Sequence, residues 1–326
     1  MSSAPPVSQS RVLVTGGSGF LGKQLLQVLS ERAYQDVVAP GHADYDLTRA
    51  DQVAACIREL RPRSIIHLAA VVGGIGANRA RPGEFFYQNL IMGTELMEQA
   101  RLGGVQKFVA VGTICAYPKY TAVPFREGDL WDGYPEETNA PYGLAKKMLL
   151  VQAQAYRQQF GFNGVYLLPT NLYGPGDNFH PTNAHVIPDM IRKCHDAIDS
   201  HAQVINLWGT GNPTREFLFV RDCAEGVVAA LEHYDRSEPV NLGSGEEIRI
   251  SDLAHLIAEA TGFEGEIRFD PTQPDGQPRR KLDTSRALEQ FGWKSTTSFP
   301  DGIRATVDWY RASHAPAATM YTPATP

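Results

Sequence analysis

Short apolar runs alternate with longer stretches of helical periodicity through the first half of the chain. Residues 11–15 (RVLVT) are an apolar run that ends in glycines, the pattern of a buried strand. Residues 20–32 follow with Leu21, Leu25, Leu26 and Leu29 at helical spacing. Residues 36–39 predict a second strand, 51–60 a helix and 64–69 a third strand. A long helix over 85–101 leads to a strand at 107–111, and a helix over 142–160 to a strand at 164–168. Regular strand–helix alternation predicts an α/β fold with a doubly wound parallel sheet. Right-handed crossovers then put helices on both faces.

The pattern changes after residue 175. Proline, asparagine and glycine cluster at 174–183 and 209–213. Strands are predicted at 217–220, 239–242 and 266–269. Helices are predicted after His185, over 250–261 and over 301–310. This half reads as a smaller α/β lobe, with some segments returning to the main sheet. No internal repeat is visible.

Bulk properties narrow the function. The 326 residues carry a formal net charge of −6, with 43% hydrophobic residues. That supports a sizeable core and argues against nucleic acid as a partner. Four cysteines, Cys56, Cys115, Cys194 and Cys223, form no CxxC pair. They predict neither a disulfide framework nor a metal site, and they fit a reducing cytoplasm. Residues 1–10 lack the apolar core of a secretory signal. No apolar run reaches membrane-spanning length, so no membrane association is expected. Residues 315–326, rich in Ala, Thr and Pro, read as a flexible tail, as do 1–10.

Chemistry enters with the glycines. Gly16, Gly19 and Gly22 have the spacing G-x-x-G-x-x-G between the first strand and the first helix. Glycine permits the tight turn and a close approach of backbone to a pyrophosphate. The following helix, from Phe20 and Leu21, offers free N–H groups and a positive dipole end. This places a dinucleotide on a Rossmann-type sheet. The end of the second strand reads Pro40-Gly41-His42, with neither the acid that often binds the ribose of NAD nor an arginine for the 2′-phosphate of NADP. His42, Arg32 and Arg49 are the candidates for such a phosphate, and Asp46 and Leu47 for the adenine border.

Tyr142 and Lys146 form Y-x-x-x-K, whose i, i+4 spacing puts both on one helical face. A nearby ammonium favours phenolate, which predicts a lowered tyrosine pKa. Thr113 lies just beyond the strand at 107–111, at the sheet end where ligands of doubly wound folds bind. It is placed to share a substrate oxygen with Tyr142.

With these residues the sequence resembles the extended short-chain dehydrogenase/reductase family. The resemblance narrows through VGGI at 72–75, TICAYPK at 113–119, PTNLYGP at 169–175, DNFH at 177–180 and HVIP at 185–188. WGTG at 208–211, REF at 215–217 and PDG at 274–276 extend it. These stretches are similar to the GDP-L-fucose synthase family, from about residue 11 to about residue 310. That resemblance implies NADP(H) as cofactor and a GDP-linked 4-keto-6-deoxy sugar as substrate. It implies inversion at C3 and C5 followed by reduction at C4. Cys115 and His185 match the family's acid–base pair, beside Thr113, Tyr142 and Lys146. Ala69, Ala70, Pro169, Asn171, Leu172 and His185 match positions that border the cofactor. Asn171, Lys193, Trp208, Arg215 and Arg280 match positions that contact the nucleotide sugar. Thr113 stands where serine is usual, and Gly176 where histidine is frequent, which bears on the floor of the site.

The corresponding division is a dinucleotide-binding domain over 11–175 with a return segment at 217–245. The substrate lobe takes 176–216 and 246–312. Pairing of the helices at 85–101 and 142–160 with their symmetry mates would give a homodimer. Two other readings remain open. A 4-epimerase or 4-reductase on another nucleotide sugar would need Tyr142 and Lys146 but neither Cys115 nor His185. A non-catalytic nucleotide-binding regulator would need none of them.

Overall fold

The computed structural model describes residues 7–182, 184–273 and 275–314. The expected tails at 1–6 and 315–326 lie outside the described residues. Residues 7–10, expected within the N-terminal tail, instead form a 3-10 turn at Val7–Gln9. Ser8 O accepts a 3.1 Å hydrogen bond from Gln35 N, and Val7 packs against the core.

The first half runs β1 (Val12–Thr15), α1 (Phe20–Glu31), β2 (Val37–Val38), α2 (Ala50–Leu60), β3 (Ser64–His67), α3 (Ile75–Ala80), α4 (Pro82–Leu102), β4 (Lys107–Val111), α5 (Ala140–Phe160) and β5 (Gly164–Pro169). Then come β6 (Asn171–Tyr173), α6 (Val186–Asp199), β7 (Val204–Trp208), β8 (Thr214–Arg215), β9 (Phe217–Phe219), α7 (Val220–His233) and β10 (Val240–Leu242). The chain ends with β11 (Ile248–Arg249), α8 (Ile250–Thr261), β12 (Glu266–Asp270), β13 (Arg279–Arg280), α9 (Ser285–Phe291) and α10 (Phe299–His314).

The six-stranded sheet has the order β10-β5-β4-β3-β1-β2, and every pair in it is parallel. Strands covered on both faces must be apolar throughout. β1, β4 and β5 are accordingly buried at every position. Winding reverses between β1 and β3, which opens a crevice at their C-terminal ends. On one face α1 packs against α7, around Leu25, Leu29, Val227 and Val228. On the other face α2, α4 and α5 enclose Leu96, Phe108 and Leu149. α5 starts with a proline in its first turn and stops at Gly161, whose φ of +67° ends the helix in the left-handed region.

A separate core built on Ile191, Leu207, Ile257 and Ile303 marks the second lobe. Its helices α6, α8 and α10 pack together beside the parallel pair β12–β7. β10 returns to the main sheet beside β5. The segment 246–312, expected in the second lobe, contributes to both: Ala287 and Trp293 join the core under α1 and α7. Apolar composition alone does not say which of two adjacent cores a short helix joins.

Candidate active site

The crevice is a cleft of about 1220 Å³. Gly16 has a φ of +75°, and a Cβ there would lie 2.7 Å from Ala69 N. A Cβ on Gly22 would lie 2.1 Å from Gly16 O. Glycine at both places lets the loop fold onto the first turn of α1, leaving a cradle without side chains. Gly19 is the N-cap of α1, with no side chain to cap it. The free N–H groups and positive end of α1 suit a pyrophosphate. Gly16, Gly19, Phe20, Leu21, Gly22, Leu47, Ala69 and Ala70 line the cleft. The residues present therefore fit a dinucleotide.

Three expected residues are outside the cleft lining. Asp46 is not part of the cleft lining; its Oδ1 accepts hydrogen bonds from Thr48 N (2.9 Å) and Thr48 Oγ1 (2.7 Å). Those bonds hold its carboxyl below the usual range. Arg32 is paired with Glu232 at 2.9 Å, and Arg49 with Asp51 at 3.2 Å. Neither arginine lines the cleft; His42 does.

Beyond β4 the chain turns sharply. Thr113 caps the 3-10 turn Ile114–Ala116, and its Oγ1 accepts a 3.2 Å hydrogen bond from Cys115 N. Thr113, Cys115, Tyr142 and Lys146 all line the cleft. The Tyr142 pKa does not fall as the Y-x-x-x-K spacing predicts. Burial pushes it up, Cys115 adds to the rise, and a hydrogen bond with Thr113 opposes it. Lys146 is 2% exposed, and burial lowers its pKa to about 8. Desolvation disfavours both the phenolate and the ammonium, so it opposes the charge pairing on which the expectation rested.

Cys115 is the accessible thiol of the four. Cys56, Cys194 and Cys223 are buried in the cores, and burial raises the pKa of each. Arg280 Nη1 lies 3.9 Å from Cys115 Sγ. Its guanidinium is held by Gln277 Oε1 at 2.9 and 2.5 Å. A cation at this distance suits a sulfur that carries negative charge during proton transfer.

His185 enters from the second lobe as the N-cap residue of α6, without a side-chain cap bond. It lines the cleft together with Pro169, Asn171, Leu172, Arg215 and Arg280. Asn171 Nδ2 donates to Glu216 O at 2.9 Å. Burial and the nearby Arg280 lower the Arg215 pKa to about 10. A side cavity of about 270 Å³ adds Trp208, while His185 and Arg215 line both spaces. Lys193 lines neither. Its ammonium is taken by Asp189 at 2.9 Å, one turn earlier on the same helix, and by Asn206 O at 3.1 Å. Gly176 also lies outside both linings.

Three contributors went unassigned in the sequence. Asp177 stands in the DNFH stretch, but only the fold brings it within 4.0 Å of His185 Nδ1. Gln277 orients Arg280 from a loop. Gly143 lets the turn carrying Cys115 press against α5. A glycine inside a 21-residue helix costs about 1 kcal/mol relative to alanine, which was the available signal. Among the described residues no cluster of His, Cys, Asp or Glu could hold a metal.

Comparison with known proteins matches residues 12–243 to the NAD dependent epimerase/dehydratase family. Probable GDP-L-fucose synthase 1 of Oryza sativa is 42% identical over 301 residues, spanning 92% of each chain. GDP-L-fucose synthase of Escherichia coli is 35% identical over 93% of this chain and 97% of its own. Among solved structures, a GDP-L-fucose synthetase from Naegleria fowleri bound to NADP has a TM-score of 0.86 at 29% identity. It covers 96% of this chain and 99% of that one. A GDP-6-OMe-4-keto-L-xylo-heptose reductase from C. jejuni has a TM-score of 0.88 at 25% identity, covering 94% and 99%. The glycine cradle, the Thr113–Tyr142–Lys146 group and the matches over nine-tenths of the chain agree: this chain belongs to the NAD dependent epimerase/dehydratase family and, within it, to the GDP-L-fucose synthase family.

Proposed function

We propose that this chain converts GDP-4-keto-6-deoxy-D-mannose to GDP-L-fucose with NADPH, inverting C3 and C5 and then reducing C4. The observation that carries this reading is that Cys115 and His185 line the same cleft as Thr113, Tyr142 and Lys146. A plain C4 reductase has no use for the first two.

The C4 ketone acidifies the hydrogens on C3 and C5, because the resulting carbanion delocalises onto the oxygen. Cys115 removes one such proton, with the Arg280 guanidinium beside its sulfur. Tyr142 and Thr113 donate hydrogen bonds to the enolate oxygen, where charge develops. His185, protonated, returns a proton on the opposite face. Solvent restores both groups before the second carbon is inverted. NADPH, when bound against Gly16, Gly19, Gly22 and Lys146, supplies the hydride for C4. Tyr142 then gives its proton to the C4 oxygen. Arg215 meets the diphosphate, and Asn171 and Trp208 flank the sugar and nucleotide.

Two further features belong to this reading. Phe86, Tyr87, Leu102, Val151 and Phe160 on α4 and α5 are large apolar side chains left exposed, which supports a homodimer through these helices. Four free cysteines and no helix apolar enough to cross a membrane among the described residues fit an enzyme of the cytoplasm.

Turnover in heavy water tests the reaction. The expected product is GDP-L-fucose labelled at C3 and C5, with label and product lost in Cys115→Ser and His185→Asn. The alternative is simple reduction at C4, the reaction named for a solved heptose reductase of similar fold. Reduction without label, insensitive to both substitutions, would establish that alternative.

A further inference from the structure

His185 occupies a position that by itself disfavours a charged imidazole. It is the N-cap residue of α6, and a helix N-terminus carries roughly half a positive charge. A proton donor at this place needs a compensating anion. Arg215 also lines both spaces that His185 lines, so the cleft wall there already carries a cation. The remaining charged group there is Asp275, whose Oδ1 and Oδ2 are engaged by Thr210 N (2.6 Å) and Thr210 Oγ1 (2.8 Å).

Asp177 supplies what is missing. It sits on the loop after β6, with its side chain 4% exposed and Oδ1 4.0 Å from His185 Nδ1. That oxygen accepts a 2.7 Å bond from Asn178 N. The other oxygen, Oδ2, is buried and has no hydrogen-bond partner. A buried carboxylate with a single N–H donor is under-compensated and calls for a cation. His185 is the group in ion-pair range of it.

We propose that Asp177 is the positioning residue for His185: its carboxylate holds the imidazole through Nδ1 and keeps it protonated as the proton donor of the cleft. The inference rests on the proposed role of His185 in inversion at C3 and C5. The proximity of Asp177 raises the His185 pKa and outweighs the opposing desolvation, although the imidazole itself is 55% exposed. With Nδ1 on the carboxylate side at 4.0 Å, Nε2 is the nitrogen left for the substrate, so one carboxylate sets orientation and charge together. Asp177 touches no reacting atom and acts only through the histidine.

The test separates this statement from catalysis. The titration of His185 is followed by NMR in the protein without substrate, with His185→Asn identifying the resonance. The wild-type midpoint is expected above the free-histidine value of about 6.5, and in Asp177→Asn it is expected lower by about one to two pH units. Solvent exchange at C3 and C5 should fall about 10–100-fold in Asp177→Asn, of the order seen when a group orienting a histidine is lost. Reverse hydride transfer from GDP-L-fucose to NADP should stay near wild type, and Asp177→Glu should restore part of the exchange. A wild-type midpoint at or below 6.5, or one unmoved by Asp177→Asn, overturns the proposal, and the first of these needs no variant to fold. A lowered midpoint in a protein whose exchange survives His185→Asn would leave the Asp177–His185 pairing standing and remove the role assigned to His185.

Discussion

A Cβ on Gly143 would lie 2.4 Å from the carbonyl oxygen of Cys115. The residue after Tyr142 is thus the contact point between α5 and the turn that carries Cys115. Alanine at 143 must push that turn away, which moves Cys115 and Thr113 relative to Tyr142. Overpacking of this kind costs about 1–3 kcal/mol, and a 1 Å misplacement about 100-fold in rate. Gly143→Ala should therefore lower the unfolding free energy by that amount in a denaturant titration. Exchange at C3 and C5 should fall by about two orders of magnitude. Wild-type exchange in a stably folded Gly143→Ala protein would show that the close contact does not position Cys115.

Strands such as β1 and β4 were legible because burial on both faces forces an unbroken apolar run, and α1 because its leucines recur at helical spacing. The cradle was legible because glycine is the residue type that permits its backbone. Arg280 beside Cys115 was not, since 165 positions separate them and a lone arginine carries no local pattern. Lys193 carries a different signal: its type suits a phosphate, and i, i+4 spacing points to the Asp189 carboxylate that meets its ammonium in the structure. Asp46 is similar: an Asp two residues before a Thr closes a local turn, as its bond from Thr48 N shows.

The adenosine end has a specificity consequence. His42 is 83% exposed at its side chain and lines the cleft, whereas Arg32 and Arg49 are paired elsewhere. An imidazole offers a 2′-phosphate less than the forked, permanently charged guanidinium does. His42→Arg should tighten NADPH binding about tenfold, or about 1.4 kcal/mol, and leave NADH binding unchanged. Competition by 2′,5′-ADP against ADP in a binding assay reads the same difference without turnover. Equal tightening for NADH and NADPH would place the 2′-phosphate elsewhere.

Burial of Lys146 makes stability depend on pH. Its folded pKa is depressed to about 8 by burial, below the reference of about 10.4. The unfolded chain therefore binds more protons between those values, and stability rises with pH across that window. Lys146→Met removes the buried charge. Without cofactor, the variant should be more stable than wild type at pH 7 by about 1–3 kcal/mol. The gap should close above pH ~10, and the variant should bind NADPH more weakly. Urea titrations at pH 7 and pH 10 check the sign; a gap that does not narrow with pH would mean packing, not charge, sets the difference.

Glu216 is expected to impose the opposite slope. It is fully buried next to Arg215, and burial raises its pKa to about 7 although its carboxyl accepts bonds from Gly245 N (2.8 Å) and Leu282 N (2.7 Å). These bonds tie the residue joining β8 and β9 to the loop after β10 and to the segment after β13. A carboxyl whose folded pKa lies above its unfolded value of about 4.3 contributes stability that is complete below that value. The contribution is lost as pH rises toward 7, because the folded state holds the extra proton. Wild type should therefore lose on the order of 2–3 kcal/mol between pH 4.5 and pH 7 from this group. Glu216→Gln cannot ionise, so that share of the slope should disappear, while its single amide oxygen accepts from one of the two N–H groups and lowers stability equally at all pH values. Unfolding free energies of both proteins across this range decide the matter: parallel pH profiles would show that the burial of Glu216 is not what raises its proton affinity.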